Sequence, residues 1–172
     1  MTISLYQASV PAFERALRNL RHILDKGATH ARERGVDPDT LLGLRLIDDM
    51  LPLSRQVQIA CDMAKNGAAR LAGMEPPAIA DEEASLDQLH ERIERTLAIV
   101  RGIDPSAIDG AEGREVVLKM RSGEMRFNGQ DYLTTFVLPN LYFHVTMTYA
   151  LLRREGVPLG KLDFIAGPDA PA

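Results

Sequence analysis

Apolar residues at steps of three and four recur in four long runs, and nearly every run is closed by glycine or proline. That pattern restricts the chain to amphipathic helices packed on one another. The first run carries Leu5, Val10, Phe13, Leu17, Leu20 and Leu24 and ends at Gly35; Pro11 falls in its opening turns. The second opens at Asp37-Pro38, an N-cap followed by a first-turn proline, and continues through Leu42, Leu46, Met50, Leu53, Val57 and Cys61 to Leu71. Pro52 lies inside this run and is expected to bend or split the helix. The third starts at a capping box, Ser85-Leu86-Asp87-Gln88, and carries Leu89, Ile93, Leu97 and Val100. The fourth spans about Gly129 to Glu155, with Pro139 inside it, Arg153 and Arg154 in its last turn and Gly156 after it.

Between the third and fourth runs the texture changes. Glu115–Met120 and Glu124–Phe127 flank Ser122-Gly123, the pattern of a short β-hairpin. The expected fold is therefore all-α: a four-helix bundle with a small β-hairpin between helices 3 and 4. Residues 1–167 form one domain in this reading, and residues 168–172, rich in proline and alanine, form a flexible tail.

Composition removes several functional classes. The net charge of -4, with no basic cluster, argues against a nucleic-acid partner. No apolar run reaches the length of a membrane span, and the N-terminus lacks the pattern of a secretory signal, so a cytoplasmic protein is expected. Cys61 is the only cysteine and sits in the apolar stretch Gln58–Asp62, which reads as a buried structural thiol. His22, His30 and His90 have charged neighbours or lie near a helix end, and read as surface or boundary residues.

His144 is different. In Leu138-Pro139-Asn140-Leu141-Tyr142-Phe143-His144-Val145-Thr146-Met147-Thr148, the residues Asn140, His144 and Thr148 stand four apart and share one helix face. A polar file in an apolar segment is either buried and paired or lines a pocket. On the second run, Asp49, Gln56 and Gln58 are the polar groups available to join it, with Asp49, Leu53, Gln56 and Ala60 on one helical face. Glutamine and asparagine are weak ligands for zinc or nickel, so such a set suits hydrogen bonding to a small polar molecule better than metal capture.

The end of the fourth run, Leu151-Leu152-Arg153-Arg154-Glu155-Gly156, preceded by His144, resembles the last helix of the DinB/YfiT-like superfamily. Over about Met1 to Gly167 the chain is similar to an uncharacterised bacterial branch of it, a domain of unknown function. The motifs that carry this are Ser4–Pro11, Gln56–Asp62 and Leu138–Thr146. The resemblance implies an up-down-down-up bundle. It also implies a divalent-metal site, Zn or Ni, in which a third ligand from helix 2 joins a histidine pair on the last helix. Here those positions are Gln56 or Gln58, Asn140 and His144, a departure from histidine at two of three. The activities implied are metal-dependent hydrolysis or thiol transfer, with His144 as metal ligand or general base. Two functions follow as expectations. One is a pocket that takes a small polar ligand or a divalent metal through Gln56, Gln58, Asn140 and His144, with Asp49 as an orienting group. The other is a non-catalytic homodimeric bundle in which His144 is structural.

Overall fold

The computed structural model describes residues 2–120 and 123–169. Helix α1, Leu5–Glu33, begins at a capping box in which Ser4 Oγ accepts from the Gln7 amide and the Gln7 side chain accepts from the Ser4 amide. Pro11 stays inside it on the exposed face, where the missing donor costs least. A 3₁₀ turn, Pro38–Gly43, follows, capped by Asp37. Helix α2 then runs only from Leu53 to Leu71, with Pro52 as its N-cap.

The second run is thus a turn, an irregular loop and a helix rather than one bent helix. Pro52 confines the residue before it to extended backbone, so the helix starts after it. Leu46 and Leu51, which fit the helical period, lie exposed in the loop.

Helix α3, Leu86–Arg101, is capped by Ser85, whose Oγ accepts from the Gln88 amide. The Gln88 side chain reaches back one residue further than a capping box requires and accepts from the Ala84 amide. A short helix α4, Pro105–Ile108, leads to strands β1, Val116–Met120, and β2, Gly123–Phe127, paired antiparallel with Val116 opposite Phe127 and Met120 opposite Gly123. Ser122, placed at the hairpin turn by the sequence, lies outside the described residues. Helix α5, Gly129–Asp131, continues through a π-helical stretch, Tyr132–Val137, into helix α6, Leu138–Arg154. Pro139 supplies no amide to the preceding turns, and the ladder there is loosened. Side chains compensate: Thr134, Thr135 and Asn140 donate to the carbonyls of Gln130, Asp131 and Phe136.

Helix α1 packs on α3 and α6, and α2 packs on the same two. Asp25, Arg21 and Glu14 pair in turn with His90, Glu94 and Arg101, so α1 and α3 run antiparallel. Gln56 meets His144 while Gly67 abuts Val137, so α2 and α6 are antiparallel too. Gly27 abuts Leu152, whereas Ala12 and Asn19 lie near Tyr142, which makes α1 and α6 parallel. The bundle is up-down-down-up. Gly67 permits close packing there, since a Cβ would stand 2.8 Å from Val137 Cγ1. Helix α7, Lys161–Ile165, and a 3₁₀ turn at Gly167–Asp169 then lie along α1. Part of the expected tail is therefore ordered: Asp169 pairs with Arg18 at 3.0 Å, while residues 170–172 lie outside the described residues.

Candidate functional site

The five sequence candidates do not converge. Gln56 sits in the first turn of α2 and His144 in the second turn of α6, and their helices cross so that Gln56 Oε1 and His144 Nδ1 are 2.7 Å apart. Gln56 is 2% exposed, so its amide must be satisfied within the protein. Its Nε2 donates to the Leu51 carbonyl at 3.0 Å.

That second bond decides the chemistry of the first. A carbonyl only accepts, so the amide nitrogen must face Leu51 and the amide oxygen must face His144. Nδ1 of His144 is then the protonated nitrogen. Nε2 keeps its lone pair, has no partner among the described residues, and reaches solvent. Burial lowers the His144 pKa, which holds the ring neutral at pH 7. Phe143 packs edge-on against this ring, with centroids 5.2 Å apart, and is 52% exposed.

Asn140 is on the same face of α6, but its Nδ2 donates to the Phe136 carbonyl at 2.6 Å. It repairs its own helix. Thr148 likewise donates to the His144 carbonyl at 3.1 Å and is fully buried. Gln58 is turned to the other side of α2, where it accepts from Arg55 and donates to Glu83, both at 2.7 Å. Asp49 is exposed in the turn before α2 and shares no helical face with Gln56, because the helix does not extend back to it.

These residues do not fit a divalent metal. Both ends of the Gln56 amide and His144 Nδ1 are already engaged, which leaves His144 Nε2 and the weakly ligating Asn140 Oδ1 where a protein zinc site uses three or four ligands. Among the described residues no three His, Cys, Asp or Glu side chains are grouped to hold a metal ion.

Sequence reasoning missed an electrostatic cluster built around a buried arginine. Arg92 of α3 is 1% exposed and binds Asp62, Asp81 and Glu83 at 3.0, 2.9 and 2.8 Å. Burial alone would raise the Glu83 carboxyl, but hydrogen bonds from Arg92 and Gln58 outweigh it and hold Glu83 below the usual carboxylate range. The cluster ties the α2–α3 connection to the bundle. Nothing in the helical period marks it, since Arg92 falls where a surface residue is also allowed. Cys61 beside it is fully buried, and burial pushes its thiol up to about 12, which makes it inert.

Residues 5–165 match the model of a protein family described as a domain of unknown function (DUF1993). A crystal structure of a DinB family member protein from Shewanella denitrificans is similar over 98% of this chain and 95% of that one, with 36% identity and a TM-score of 0.87. No curated protein matches.

Proposed function

The chain belongs to the DUF1993 family, with a DinB-like helical bundle, and from that premise we propose that it is a small-ligand-binding protein whose recognition group is neutral His144. The observation that carries this is the Gln56 amide, oriented by the Leu51 carbonyl, which fixes the imidazole with a solvent-facing acceptor at Nε2. The complementary ligand is a small polar molecule that offers an N–H or O–H to Nε2 and rests an apolar part on Phe143. Hydrolase and thiol-transferase chemistry of the superfamily kind needs a metal-held nucleophile, and this donor set does not organise one. Side-chain nitrogen NMR tests the reading together with metal content. His144 protonated at Nδ1, and no metal retained after incubation with excess zinc or nickel, are the expected results. One zinc or nickel per chain that disappears in His144→Ala would overturn it.

A second reading, a homodimer, draws on a different observation. Leu46, Ile47 and Leu51 are exposed in the loop before α2, and Phe143 is exposed on the neighbouring α6. Large apolar side chains left exposed at neighbouring positions of one loop favour a covered face. A second copy fits it, and sedimentation analysis should then find a dimer that Phe143→Asp converts to monomer; a monomer in the unmodified protein would sink this reading.

A further inference from the structure

A cleft lies on another flank of α6, and Gln56 and His144 do not line it. Ala12, Arg15 and Asn19 stand at helical spacing on one face of α1, Tyr142 and Val145 do the same on α6, and Phe164 comes from α7. Together they line a cleft of about 200 Å³. Asn19 makes the far wall rigid, because its Nδ2 donates to the carbonyls of Phe164 and Ile165 at 2.8 and 2.9 Å.

The charge in this cleft is unbalanced. Its lining holds one cation, Arg15, and no carboxylate. Arg18, Arg21 and Arg101 nearby are each paired, with Asp169, Glu94 and Glu14, whereas Arg15 has no such partner among the described residues. Glu14 and Asp169 do line the adjoining cleft that Arg15 also borders, but both are engaged in those pairs. Apolar walls with one guanidinium at the rim, unpaired among the described residues, match a small amphipathic acid: an aryl or short alkyl tail inside and a carboxylate on Arg15.

We infer that the α1–α6–α7 cleft binds small amphipathic carboxylic acids, with Arg15 as the carboxylate-recognising residue. Backbone amide NMR on the full chain tests it, with hydrocinnamate as probe and neutral hydrocinnamamide as its charge-free counterpart. The acid should bind with a dissociation constant on the order of 1 mM or tighter, and the amide roughly tenfold more weakly. Shifts should centre on residues 12–19, 142–145 and 164. Arg15→Gln should abolish the preference for the acid, and Ala12→Leu, which narrows the cleft, should weaken both ligands. Equal binding of acid and amide, shifts centred on residues 46–56 instead, or no saturable shift up to about 10 mM would each overturn the inference.

Discussion

Gln56→Leu isolates the bond on which the reading of His144 depends. The substitution nearly conserves volume at a site that is 2% exposed, so packing changes little. It deletes a 3.0 Å bond to the Leu51 carbonyl and a 2.7 Å bond to His144 Nδ1. Leu51 is an exposed loop residue, so its carbonyl regains water; the half-buried Nδ1–H loses its partner. Two net bonds at about 1 kcal/mol each, plus a partly unsatisfied donor and minus the gain from burying leucine, leave a destabilisation of about 2 kcal/mol. For a chain of this size that lowers Tm by about 4–8 °C. Urea and thermal unfolding measure it, and side-chain nitrogen NMR should find that His144 is no longer held in the Nδ1–H form. A pH arm adds a sign. Burial lowers the folded-state pKa of His144, so the unfolded chain binds more protons near the ordinary histidine value of about 6.5. This group therefore contributes a loss of stability as pH falls through that region. Gln56→Glu puts a carboxylate on the ring, raises the folded pKa and reverses the contribution: stability present at low pH is lost as pH rises. An unchanged Tm in Gln56→Leu, with an unchanged tautomer, would refute the reasoning.

Arg92→Met should cost about 2–3 kcal/mol in urea unfolding, because it removes the buried cation from half-buried Glu83 and leaves Asp62 and Asp81 only Lys65 and Arg55 nearer the surface. The same variant should gain stability on mild acidification, where the native protein loses it as pH falls below the unfolded glutamate value toward the depressed folded one. Asp163 fastens α7 to α1. Burial opposes its ionisation, but bonds from the Gly160 amide, Lys26 and His22 prevail and bring it down to about 2. Its stabilisation should be complete above the ordinary aspartate value of about 3.9 and vanish as pH falls toward the lower one. Asp163→Asn should remove that acid dependence and raise amide exchange in residues 161–165.

Local chemistry alone specified most of the architecture. Ser85, Gly35 and Gly156 mark helix ends that the structure keeps, because capping and glycine turns act over a few residues whatever the rest of the chain does. The buried, inert Cys61 was legible for a related reason: apolar neighbours on a periodic helix imply burial. Three things were decided only by tertiary structure. Whether Pro52 bends a helix or starts one depends on whether the residues before it find a core to cover, and Leu46 and Leu51 do not. Which polar groups meet depends on how α2 crosses α6, and that crossing gives His144 to Gln56 while it turns Gln58 toward Glu83 and leaves Asp49 outside. The burial of Arg92 beneath the α2–α3 connection is a long-range event with no period to announce it. Helical periodicity records which face of a helix is inside. It does not record which residue of another helix waits there, because that contact is set by packing the whole core at once.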